Sequence, residues 1–273
     1  MATTRVSCQI SNTTATPYGE LKFIYAELKG LITKKVGQDT VQAEDWRTEE
    51  RLVSVGSEPR SLAPFRNSGT DYVCVANSGS DNISLISYDK QDVRRVAATN
   101  QKFSAQCKKP VSISGDPLGD YIAVANHGSS SVAMLSSPNW NTAKEPSVAS
   151  LLVNTSPTIV AFDPQGAYVA VAVAGEQKVI LAALDRGNVN ESSLIPIAFQ
   201  APGFLEPQWL SISPDGSKIS LLCPTESLDD GAAVWITVDR ANMTHSKASE
   251  HIPVGISVAN AIPSRAATIS LDL

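Results

Sequence analysis

Apolar residues fall in short runs along this chain, and polar turn chemistry separates them. Tyr72–Ala76, Tyr121–Ala125 and Tyr168–Ala172 are continuously apolar over five residues each, and Val179–Leu181, Ile219–Leu222 and Ala233–Val238 follow the same habit. Runs of this length, rich in Val, Ile, Ala and Tyr, predict strands and are too short for buried helices. Between them lie Asp163-Pro164-Gln165-Gly166 and Ser213-Pro214-Asp215-Gly216. With Pro second and Gly fourth, these suit type I turns joining antiparallel strands.

The runs recur with a period. Each of five units opens on a proline, at Pro59, Pro110, Pro157, Pro207 and Pro253, spaced 51, 47, 50 and 46 residues apart. Antiparallel hairpins repeated at this interval predict a β-propeller with four-stranded blades. Five blades is the direct count, and six follows if the first fifty residues build a blade of their own. The fifth unit ends after two strands, Ile252–Ile256 and Ala267–Leu273, so its partners are expected in Arg5–Ile10, Leu21–Leu28 and Leu31–Val36. Pairing the N- and C-terminal strands in one blade would close the ring and remove its exposed edges. The expected division is residues 1–51 as a ring-closing or docking segment and 52–273 as repeats. Gly19–Lys35 also fits helical spacing, and Thr40–Leu52 reads as a short helix or an exposed connection.

Composition narrows the function classes. The 273 residues are 42% hydrophobic and 18% charged, enough to build a core and unlike a disordered chain. A net charge of −5 leaves no basic surplus for phosphate backbones, so nucleic acid is not an expected partner. No leader-like or membrane-spanning stretch is visible, which gives a cytoplasmic or virion-associated expectation. Cys8, Cys74, Cys107 and Cys223 lack metal or redox spacing and read as buried apolar groups. Glu226–Gly231 lacks the spacing of a calcium loop, and no nucleotide, serine-hydrolase or zincin motif occurs, so neither metal nor cofactor is expected.

The segments Val75-Ala76-Asn77-Ser78-Gly79-Ser80-Asp81-Asn82-Ile83-Ser84-Leu85 and Val124-Ala125-Asn126-His127-Gly128-Ser129-Ser130-Ser131-Val132 resemble the YVTN-type propeller repeat and the 6-phosphogluconolactonase-like family. The resemblance covers about residues 52–273. It implies a propeller, and as an activity the opening of a sugar lactone. In that family histidines, or a Pro-Arg-His triplet, often stand at the start of an inner strand, facing the channel mouth. Here those places hold Ser156-Pro157-Thr158 and Pro207-Gln208-Trp209, and only Pro59-Arg60-Ser61 keeps an arginine.

Opening a lactone needs a group that activates water and a donor for the developing oxyanion. His127 is the one histidine inside a repeat motif, with Asp116 and Asp120 nearby in sequence to polarise it. Arg60 is the cation that could hold an anion, and Glu58, Glu206, Gln208 and Trp209 flank leading prolines and complete the candidate binding set. Plainer readings stand beside these: a turn histidine, ion pairs between loops, and Trp209 and Trp235 packed between blades. On the residues alone, the expected function is a non-enzymatic platform for protein or glycan partners, such as a component of a virion or tail, with self-association open. A lactonase anchored on His127 and Arg60 is the alternative.

Overall fold

The computed structural model describes residues 4–12, 19–36, 39–89, 101–103, 106–140, 144–200, 207–224, 231–254 and 268–271. Among these residues, twenty-one strands form five antiparallel sheets. The first sheet takes both ends of the chain, in the order β21 (Thr268–Leu271), β1 (Thr4–Asn12), β2 (Gly19–Val36), β3 (Asp39–Ser54). Here Cys8 pairs with Ile269 and Val6 with Leu271. The second sheet runs β4 (Pro59–Asn67), β5 (Thr70–Asn77), β6 (Asn82–Tyr88), β7 (Gln101–Phe103), and the third β8 (Pro110–Gly115), β9 (Tyr121–Asn126), β10 (Ser131–Ser136), β11 (Ser147–Leu152). The fourth follows with β12 (Pro157–Phe162), β13 (Tyr168–Val173), β14 (Lys178–Ala183), β15 (Ser193–Ala198). In the fifth, β16 (Trp209–Ile212), β17 (Lys218–Pro224) and β18 (Gly231–Thr237) are joined at the edge by β19 (Lys247–Ala248) and β20 (Ile252–Val254).

Both segments with helical or irregular expectations are strand. β2 and β3 form one long hairpin in which Leu21 pairs with Val53 and Val36 with Asp39. The 3.6-residue spacing of Leu21, Ile24, Tyr25, Leu28 and Leu31 loses to sheet pairing because Cys8 and Ile10 of β1 need covered neighbours on the same face. Glu206 and residues 226–230 of the Glu226–Gly231 segment lie outside the described residues.

The apolar runs are the second strands of their sheets, flanked by the proline-led first strands. Alternation along them feeds two different interfaces. Val73 and Val75 of β5 pack with Cys8, Ile10 and Leu21 of the first sheet, while Cys74 and Ala76 pack with Ile113, Ile122 and Val124 of the third. In β13, Val169 and Val171 face Ala123 and Met134, and Tyr168 and Ala170 face Ile219 and Val234. A strand apolar on both faces is a strand covered on both faces, and each buried Val or Ile contributes roughly 1.5–3 kcal/mol.

The fifth sheet departs from this pattern. Ile219, Leu221, Val234 and Ile236 pack on the fourth sheet, but Trp209 is 48% exposed and Trp235 37%. Their register, Trp209 with Leu222 and Trp235 with Ser220, puts both on the face turned away from the fourth sheet. The expected burial of both tryptophans between blades is therefore not what the structure has.

Adjacent sheets are pinned at the turn ends of the proline-led strands. Asp116, just past β8, is fully buried and receives both Nη groups of Arg186 at 2.8 and 2.9 Å from the fourth sheet. Asp163, just past β12, is gripped in the same way by Arg240 of the fifth, at 2.7 and 3.2 Å. Bidentate pairing is what makes a buried carboxylate tolerable. Between the second and third sheets the same junction is apolar: Phe65, at the strand position of those aspartates, meets Trp140 edge to face at 5.4 Å. The turns hold the geometry with glycines at positive φ, Gly166 at 70° and Gly216 at 68°. A Cβ on Gly216 would collide with Asp163 and Arg240.

Candidate functional site

The opposite ends of the same strands build a cavity of about 640 Å³. Its geometry comes from a device repeated in the second, third and fourth sheets. After the leading proline the ladder skips one residue: Pro59 pairs with Asn77 and Ser61 with Ala76, Pro110 with Asn126 and Ser112 with Ala125, Pro157 with Val173 and Ile159 with Ala172. The residues left out are Arg60, Val111 and Thr158, and in the fourth repeat Gln208 follows Pro207 just before β16 begins. All four line the cavity. A bulge releases one side chain from the pleat and re-aims it, which is how a rigid sheet offers a variable residue.

His127 joins them from a different element. It opens a single 3-10 turn, His127–Ser129, directly after β9, and its N–H donates to the Lys109 carbonyl at 3.2 Å. Lys109, immediately before Pro110, also lines the cavity, as do Ser61, Ser78 and Ser112. Two of these serines are lateral ties: Ser61 accepts from the Ile113 N–H at 3.3 Å, and Ser112 from Val160 at 3.1 Å. They lock the first strands of the second, third and fourth sheets side by side, so the wall is stiff.

Charge in the cavity is one-sided. Arg60, Lys109 and His127 line it, and among the described residues no carboxylate does, in a chain whose net charge is −5. Glu58 stands at the rim, 3.4 Å from Arg60 in an exposed pair. Such a pair contributes little in water and yields readily to a ligand anion.

The structure thus brings Arg60, His127 and Gln208 together from three repeats and keeps Glu58 beside them. Trp209, paired in β16 and exposed, is not among the lining residues. Asp116 and Asp120 do not polarise His127. They lie beyond the far end of β8, about 20 Å away at ~3.3 Å per residue, and both bind Arg186. Lys109, Thr158 and Val111 were missed. Each adjoins a leading proline, so the position was visible in the repeat even though the bulge was not.

Solved structures with this fold are distant in sequence. A proposed 6-phosphogluconolactonase from Bacteroides uniformis is 14% identical with a TM-score of 0.60, over 90% of this chain and 71% of that one. Pseudomonas aeruginosa periplasmic gluconolactonase, also 14% identical, gives 0.54 over 89% and 71%. Kuenenia stuttgartiensis hydrazine synthase, at 17% identity and 0.52, covers 71% of this chain, which spans 49% of that protein's length. These likenesses bear on fold alone. No curated protein matches the sequence. The model of the lactonase, seven-bladed β-propeller family matches residues 47–203. That match replaces the expected non-enzymatic platform or virion component with the lactonase alternative, and nothing found supports a structural role. The error came from weighing missing family motifs above the shared repeat. By this match over more than half its length, the chain belongs to the lactonase, seven-bladed β-propeller family.

Proposed function

We propose that the protein hydrolyses a sugar lactone in the cavity at the start of the proline-led strands. The observation that carries this reading is the convergence of Arg60 and His127, from different sheets, on one water-accessible cavity with no acidic group among its described lining residues. His127 accepts a proton from water as the water oxygen bonds to the lactone carbonyl carbon. Arg60 donates hydrogen bonds to the oxyanion that forms. When the bond between the carbonyl carbon and the ring oxygen breaks, the imidazolium returns the proton to the departing oxygen, leaving an open-chain hydroxy acid. Gln208 and Thr158, both neutral hydrogen-bonding groups on the cavity wall, suit the hydroxyls of the sugar.

Acid release from 6-phosphogluconolactone and from gluconolactone tests the reading. Wild type should exceed the spontaneous rate. His127→Ala should lower kcat/KM by about a hundredfold or more, the usual contribution of a general base. Arg60→Ala should lower it by about tenfold to a hundredfold. Wild-type rates no higher than spontaneous hydrolysis would reject lactonase activity.

We also read the five sheets as five blades, with residues 1–51 closing the ring against β21. The pairing of β1 with β21 supports this, since it ties the two chain ends into one sheet. Removing residues 1–51 should then abolish cooperative unfolding. A truncated chain that still melts in one sharp transition would count against closure.

A further inference from the structure

Lys109 is held more firmly than a surface lysine needs to be. It sits at φ 45°, a left-handed conformation that costs a residue with a Cβ, and it precedes a proline, which restricts its backbone further. Such a conformation persists only where its surroundings impose it. Here they do so from two sides. The Asp81 carboxylate, in the turn between β5 and β6 of the second sheet, accepts the Lys109 N–H at 2.7 Å. The Lys109 carbonyl accepts from His127 N–H, and the neighbouring Lys108 carbonyl from Gly128 at 3.0 Å. Buried Asn126 finishes the clamp, its Oδ1 accepting from Lys108 N–H at 3.3 Å and its Nδ2 donating to the Gln106 carbonyl at 3.1 Å.

The second sheet uses the same backbone device at Glu58, φ 47°, whose carbonyl accepts from Ser78. There the residue is an acid at the rim, while in the third sheet it is a base in the cavity wall. The carboxylate that reaches across to grip the backbone occurs at Asp81, and its repeat equivalent 49 residues on is Ser130. The lysine is therefore fixed at its backbone to the same short segment as His127, by a contact from another sheet.

We infer that Lys109 is a second cation holding the lactone carbonyl oxygen and the carboxylate that the reaction leaves on it, and that Asp81 is a positioning residue acting through Lys109. The inference rests on the lactonase reading for its substrate, but it is tested by binding. Gluconate, the open-chain carboxylate, serves as the probe in calorimetry, with hydrolysis measured separately. Lys109→Ala should weaken gluconate binding about tenfold, the loss of one charge-assisted contact. Asp81→Ala should weaken it by about threefold to tenfold. The double variant should bind no worse than Lys109→Ala alone, because a residue that works only through Lys109 has nothing left to position. Lys109→Arg should recover part of the affinity.

Independent, multiplying losses in the double variant would overturn the positioning role, and an unchanged Kd in Lys109→Ala would overturn the whole inference. Wild type that binds gluconate in this pattern without hydrolysing lactones would sustain Lys109 and refute the lactonase reading. Hydrolysis without gluconate binding would do the reverse.

Discussion

At the turn end of β8 and β12, Asp116 and Asp163 are fully buried and each is gripped by an arginine of the next sheet, whereas at the opposite end Arg60, Lys109 and His127 line a cavity without a carboxylate among the described lining. The two ends of the proline-led strands thus meet arginine in two different ways. Where charge is buried it is matched atom for atom, since an unmatched buried carboxylate costs several kcal/mol. Where charge is left for a ligand it stays near water, with at most an exposed neighbour such as Glu58 beside Arg60. Arg186 and Arg240 fasten sheets together; Arg60, in the proposed function, is the one that meets the substrate.

That contrast can be broken most forcefully at Arg186. Replacing it by Ala strands Asp116 in the interior and should lower stability by about 3–5 kcal/mol in urea unfolding. Arg60→Ala is the matched control at the other end, and should shift stability by less than about 0.5 kcal/mol while reducing activity. Equal losses from the two would erase the distinction. Gly216→Ala comes next, at about 2 kcal/mol, because the left-handed turn and the approach of Arg240 and Asp163 both oppose a Cβ.

A separate, pH-dependent effect concerns the interior between the two ends. Burial pushes the thiols of Cys8 and Cys107 up to about 12 and that of Cys223 to about 11, from an ordinary value near 9. The neutral thiol is favoured in the folded chain, so no stability is lost to these groups below pH 9. A gradual decline should appear as pH rises from 9 toward 12, where only the unfolded chain ionises freely. Alkylation at pH 8 should accordingly leave all four buried cysteines unmodified until urea is added.

Much of this architecture is readable from the amino acids, and the reasons are local. Two-residue alternation with both faces apolar, as in Tyr168–Val173, admits a strand covered on each side and little else. Pro59, Pro110 and Pro157 open first strands because proline cannot donate to a central ladder, whereas Pro253, expected to open a fifth unit, sits in β20 at the edge of the fifth sheet, paired with β18. The candidate site is less legible. His127 was visible inside its repeat motif and Arg60 and Gln208 beside their prolines, but Lys109 depended on a left-handed residue that nothing in Lys-Pro announces. Asp116 misled, since proximity of eleven positions to His127 in sequence becomes the full length of a strand in space. Trp209 and Trp235 misled for another reason: composition says that tryptophan is large and apolar, but cannot say which face of its sheet each one takes.

The skipped residue after each leading proline has a consequence for how this scaffold can change. Since Arg60, Val111 and Thr158 stand outside the ladder, exchanging them leaves strand pairing intact, although Val111 also packs on the core between the third and fourth sheets and Thr158 donates to the Ala172 carbonyl. With Gln208 they form a four-character label on the cavity wall, in which Arg60 is the position with the least packing to lose. A library varied at those four sites alone would explore new substrates on an unchanged chassis.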